Sequence, residues 1–107
     1  MFIVNRDNRN FERHDTLSLA DAEDIRESRG ERVVVVNISM GGLSFCSSSR
    51  FTPGDEVIFH FLPVPFQVYG VVKRVKQNFE TFIHGVEFEN LSFMNRIKLN
   101  RLVIAEV

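Results

Sequence analysis

The stretch Val33-Val-Val-Val-Asn-Ile-Ser-Met-Gly-Gly-Leu-Ser-Phe45 decides the fold. Its four consecutive valines and Ile38 are β-branched, with little helical preference, so Arg32–Ser39 reads as a strand partly covered on both faces. The double glycine that follows permits positive φ, a sharp bend and close approach to bare backbone. Leu43, Phe45 and Ser47 then open a second strand. In extended backbone residues i and i+2 share a face, so Asn37 and Ser39 project side by side while Ile38 points the other way. Taken alone, this polar pair reads most simply as a strand end followed by a hairpin turn.

Strand signals recur on either side. Leu17 and Leu19 alternate with Thr16 and Ser18 as in a half-buried strand, and the polar segment Asp21–Glu31 reads as a hairpin connection. Downstream of the central pair, Ser47–Asp55 carries Pro53-Gly54, a strong turn signal. In Glu56–Leu62, Val57, Phe59 and Phe61 share one face, with Ile58, His60 and Leu62 on the other. Pro63 and Pro65 interrupt pairing because proline lacks the amide donor. A long strand resumes over Phe66–Lys76, with Gly70 as a bend or bulge and Lys73, Arg74 and Lys76 as a basic tip. After a turn at Gln77-Asn78, Thr81–Phe88 places Phe82, His84, Val86 and Phe88 on a core face. Short antiparallel strands at this spacing form a barrel or a sandwich.

The tail changes period. Ser92 is an N-cap candidate, and Phe93, Ile97 and Ile104 fall near one helical face, which predicts a C-terminal helix from about residue 92 packing on the barrel. Leu99, Leu102 and Val103 lie off that face and are expected to make a homodimer contact.

Bulk properties narrow the function classes. A chain of 107 residues, 44% hydrophobic and 25% charged, is one ordinary globular domain with a core of its own. Its formal net charge of −1 gives no general attraction for a nucleic-acid polymer or an anionic membrane. The single cysteine, Cys46, reads as a small buried hydrophobe, and without a leader or a spanning apolar run a cytoplasmic location is expected. His14, His60 and His84 have no metal-ligand spacing and no nucleophile motif accompanies them. No catalytic or metal site, no cofactor and no enzyme activity is expected.

Residues 1–14 lack either periodicity and read as a flexible arm, with residues 15–107 as the barrel domain. The arm holds Arg9-x-x-x-Arg13, and the central stretch holds Asn37-x-Ser39-x-x-Gly42. Together, in this order, the two motifs resemble those of the PilZ domain family, RxxxR followed by D/NxSxxG. The resemblance extends through TPGDEV, YGVVKRV and HGVEFENLS to the closing helix. It implies a six-stranded antiparallel β-barrel, all-β apart from the C-terminal helix, that serves as a cyclic di-GMP receptor. Arg9 and Arg13 would grip guanine or phosphate with their planar forks. Asn37 and Ser39 would hydrogen-bond a guanine edge or the ligand backbone, and Gly42 would keep the turn clear. Asn8, Gly41 and Arg74 are further candidates around the ligand.

Two departures from the usual motif matter. Asn37 stands where many relatives carry aspartate, exchanging a charged acceptor for a neutral amide. Asn8 stands where relatives often carry another arginine, which favours one bound ligand over a stacked pair. The arm's lack of periodicity adds the expectation that it folds against the barrel on ligand binding, with a downstream protein reading the new surface. The alternative is a PilZ-like protein-interaction module that binds no nucleotide.

Overall fold

A computed structural model of the chain describes residues 4–5, 13–62 and 66–89, with side chains over 17–62 and 67–89. Among the described residues seven strands appear: β1 (Val4–Asn5), β2 (Arg13–Asp24), β3 (Arg29–Ile38), β4 (Gly42–Ser47), β5 (Glu56–Phe61), β6 (Phe66–Asn78) and β7 (Thr81–Phe88). All pairings are antiparallel, in the order β1-β2-β3-β4-β7-β6-β5, and β5 pairs back onto β2. Six strands therefore close a barrel, as the resemblance implied, and β1 is appended where Asn5 pairs with Arg13 and Val4 with His14. The expected helix from residue 92, its dimer contact and most of the arm lie outside the described residues.

The barrel interior follows the period-2 pattern. Val33, Val35 and Ile38 of β3 face Leu43 and Phe45 of β4, and Val57, Phe59 and Phe61 of β5 complete the far wall, all buried. Phe45 is the centre. Its ring meets Phe51 and Phe59 edge-on, each at 5.2 Å, and stacks on His84 at 4.3 Å. His84 is fully buried yet satisfied: its Nε2 accepts from the Phe51 amide at 3.0 Å, and Nδ1 lies 3.3 Å from the Phe45 carbonyl oxygen. One nitrogen must then be an acceptor and the other a donor, which is the neutral ring. Burial drives its pKa down, the same preference expressed thermodynamically.

Three local readings are corrected. The polar segment after Leu19 is not all connection, because β2 continues to Asp24 and only residues 25–28 turn. Ala20 and Ala22 point inward with no exposure, alternating with Asp21 and Glu23 outside, and alanine's small side chain hides that alternation in a hydropathy reading. Asp24 is buried and closes the turn, its carboxylate accepting from the amides of Arg26 and Glu27. Second, Leu17 and Leu19 face outward, Leu17 at 80% exposure, because Ser18, Ala20 and Ala22 hold the core phase of β2. Third, the β6–β7 turn is Phe79-Glu80, not Gln77-Asn78, since Asn78 pairs with Thr81.

The closure between β2 and β5 runs from Ala20 opposite Phe61 to Asp24 opposite Val57. Gly70 marks the place where β6 leaves β5 for β7, pairing with Val57 on one side and Phe88 on the other. The irregularity itself comes later, between Val72 and Arg74. Cys46 is only half-buried, on the outward side between inward Phe45 and Ser47.

Candidate functional site

Register places one row of residues across the outside of the barrel. Asp15 of β2 pairs with Asn37 of β3, Asn37 with Ser44 of β4, Ser44 with Gly85 of β7, and Gly85 with Arg74 of β6. Paired residues share a face. The rows on either side of this one, Ile38–Leu43–Val86 and Val35–Phe45–His84, are buried in the core, so Asn37 and Arg74 point outward, with Ser44 largely covered between them.

Register shifts set its phase, one of them on β2 between Asp15 and Ser18. The β3–β4 register shifts between Val35 and Asn37, and the β6–β7 register shifts between Val72 and Arg74. Each inserts one extra residue, Val36 or Lys73, at the same level of the wall. Strict alternation would send Asn37 inward and Ile38 outward. The bulge keeps Val35 and Ile38 both in the core and leaves Asn37 outside.

The middle of the row is low. Ser44 is small, and Gly85 has no side chain, which gives room for Arg74: a Cβ built on Gly85 would meet the Arg74 guanidinium at 3.1 to 3.3 Å. Arg74 therefore lies across Gly85, on the wall that also carries Asn37. Its plane and its fork are the features that stack on a purine or pair with phosphate or a guanine edge.

The turn at the head of the wall is built by Ser39. Its hydroxyl accepts from the amides of Gly41 at 3.1 Å and Gly42 at 3.2 Å, and lies 3.2 Å from the Gly42 carbonyl, to which it donates. The Ser39 amide closes the loop by donating to the same carbonyl at 2.8 Å. Ser39 is accordingly 2% exposed, so it holds the bend from within rather than standing beside Asn37 as an open donor. Gly41 is tied as well, its carbonyl accepting from Phe88 at 3.0 Å. At Gly42 the reason for glycine is steric: a Cβ would come within 2.1 Å of the Val86 carbonyl oxygen.

Of the residues singled out from sequence, Asn37, Ser39, Gly41 and Gly42 are brought together at the β3–β4 end of the wall, and Arg74 lies on the same row. Arg13 opens β2, two residues before Asp15, the partner of Asn37. Asn8, Arg9 and the Arg13 side chain lie outside the described residues. Ser44 and Gly85 were not anticipated. The signal was present in Leu43-Ser-Phe45 and His84-Gly-Val86, where a small residue sits between two core residues.

A separate depression beside the β2–β3 hairpin is lined by Asp21, Glu23, Glu31, Arg32 and His60. Its Arg32 is already taken, with Nε 2.9 Å from Asp21, and His60 Nε2 lies 3.5 Å from Glu23. Among the described residues no group of His, Cys, Asp and Glu could hold a metal ion, and no helix is long and apolar enough to cross a membrane.

The sequence pattern of the PilZ domain matches residues 7–105, and the chain belongs to that family. Comparison with curated proteins gives no match. Among solved structures, the PilZ domain with c-di-GMP of YcgR from Escherichia coli superposes with a TM-score of 0.75 at 12% identity, covering 94% of this chain and 92% of that one. The Bacillus subtilis inhibitor of motility, MotI/DgrA, gives 0.74 at 19% identity over 94% of this chain and 51% of that one. The K. pneumonia MrkH–c-di-GMP complex gives 0.74 at 11% identity over 95% and 52%. The chain thus spans about half the length of the last two.

Proposed function

We propose that this chain is a cytoplasmic receptor for cyclic di-GMP. The observation that carries the reading is the outward row in which the Arg74 guanidinium lies over Gly85 on the wall that holds Asn37. It is supported by the presence of both PilZ motifs in the chain and by structural neighbours solved with c-di-GMP.

The roles divide by chemistry. Arg9 and Arg13 supply planar forks for guanine O6 and N7 or for phosphate, and Arg74 supplies a plane on the wall. Asn37 offers its amide to the ligand. Ser39, Gly41 and Gly42 shape the turn, so that the wall is ready before the ligand arrives. The ligand bridges the arginine segment and the barrel, which changes the conformation of residues 1–14 and presents a new surface to a downstream protein.

Calorimetry with cyclic di-GMP on the wild type, Arg9→Ala and Arg13→Ala tests the reading. Heat with the wild type that is lost in both variants is the expected outcome. No heat with the wild type refutes it and leaves a nucleotide-free interaction module. Amide exchange over residues 1–14 is expected to slow on adding ligand. Unchanged exchange alongside measurable binding would remove the conformational step while leaving the receptor.

A further inference from the structure

Phe79 is 91% exposed and has φ of 58° at the first central position of the two-residue β6–β7 turn. A lone exposed apolar residue is ordinary on a protein surface. A phenylalanine in the left-handed region is not, because its Cβ crowds the following carbonyl, and glycine or asparagine usually fills this turn position. The fold gains nothing from the ring and is strained by the backbone that carries it.

The turn is nevertheless held in that shape. Gln77 Nε2 donates to the Phe79 carbonyl at 3.2 Å, and Thr81 Oγ1 donates to the Asn78 carbonyl at 3.0 Å. The ring is thereby presented on a hairpin whose orientation is set in advance, which lowers the ordering cost of a contact. Lys73 and Lys76 are exposed on the strand leading to the tip, and Glu80 follows Phe79 in the turn, in a chain whose overall charge is −1.

We infer that Phe79 is the anchor of a protein-docking site, and that the partner presents an apolar pocket rimmed by carboxylates. An aromatic anchor seated in a desolvated pocket inside a polar rim is the usual composition of a binding hot spot. A fixed turn favours a shaped pocket over a bilayer, which accepts a ring in any orientation, and Glu80 would have to be buried against lipid. The inference deepens the receptor reading by naming the surface its partner reads. Arg74 and Phe79 are five residues apart on one strand and its turn, about 16 Å along extended backbone, so one partner could span the tip and the edge of the ligand wall.

Phe79→Asn tests it in the full-length chain. The unfolding midpoint is expected to rise by about 5 °C, and the heat with cyclic di-GMP to stay as in wild type. A lower midpoint would make the ring structural and overturn the inference, whereas loss of cyclic di-GMP binding in wild type bears only on the receptor reading. p-Benzoylphenylalanine at position 79 and, as control, at position 52 is then irradiated in the source cells. The adduct specific to position 79 is identified, purified and titrated with wild type and Phe79→Asn. The expected result is affinity at least about tenfold weaker for the variant, and weakening with salt. Equal affinity, no adduct above the control, or Phe79-dependent sedimentation with phosphatidylglycerol vesicles would each overturn it.

Discussion

Replacing Gly42 by alanine puts the wall to a steric test. The added Cβ would sit 2.1 Å from the Val86 carbonyl oxygen, 3.2 Å from the Val86 carbonyl carbon and 3.4 Å from the Glu87 Cα, all of them backbone. No rotamer relieves such a contact. The β4–β7 pair must separate by about 1 Å where Gly42 faces Glu87, which weakens the Phe88-to-Gly41 hydrogen bond and disturbs the Ser39 turn. Overpacking of this kind costs about 1–3 kcal/mol, and each weakened hydrogen bond adds about 1 kcal/mol. With the Phe88-to-Gly41 bond and one bond of the Ser39 turn weakened, the sum of roughly 3–5 kcal/mol is a large share of the 5–15 kcal/mol typical of a small domain. Urea unfolding read by fluorescence-independent circular dichroism, with the denaturant slope held equal, measures it. Gly85→Ala is the matched control, because the same methyl there meets only the end of the Arg74 side chain. If Gly42→Ala lies within about 1 kcal/mol of wild type, the strands are not fixed as closely as the geometry requires and the argument fails.

Gly85→Ala should cost less than about 1 kcal/mol in stability yet lift Arg74 from the wall, weakening cyclic di-GMP several-fold; unchanged affinity would detach Arg74 from the site. Arg74→Lys, which keeps the charge without the plane, should weaken binding nearly as much as Arg74→Ala, as calorimetry would show. Asn37→Asp should tighten binding several-fold by restoring a charged acceptor, and the dissociation constant reports it directly. His84 is held neutral, its folded pKa below the ordinary 6.5 because burial opposes the charge. The unfolded chain therefore takes up the proton first, so this contribution is intact above about pH 6.5 and is lost as pH falls through the folded value. His84→Phe should flatten that part of the stability profile; an unchanged acid slope would assign it to other groups.

The barrel was legible where large side chains alternate. Val57, Phe59 and Phe61 announce one wall, and Val86 with His84 another, because big inward residues leave a period-2 trace. It was illegible where the core is lined by alanine and serine, since Ser18, Ala20 and Ala22 carry the inward phase of β2 while conspicuous leucines face out. At the site, Asn37, Ser39 and Gly42 could be located from their spacing, but the work each does could not. The spacing says nothing of the Ser39 hydroxyl closing its own turn, nor of the Val86 oxygen that excludes a side chain at Gly42. Bulges are equally silent in sequence: Val36 and Lys73 look like any other strand residue, yet they decide which neighbours face the outer wall.

The alanine-lined seam between β2 and β5 bears on how the chain folds and breathes. β2 reaches β3 through a short turn, but meets β5 only across β3, β4 and the loop carrying Phe51, a long-range closure comparable to that of β4 on β7. It also returns little on the β2 side, because Ala20 and Ala22 bury small surfaces. The seam should form last and open first, as a slit along the barrel's length. Native-state exchange would register this as early loss of protection at Ala22 and Phe59, while Phe45 and His84 hold to global unfolding. Opening there would free one edge of β2 over Ala20–Asp24 while its β3 pairing holds, loosening the strand whose other end carries Arg13.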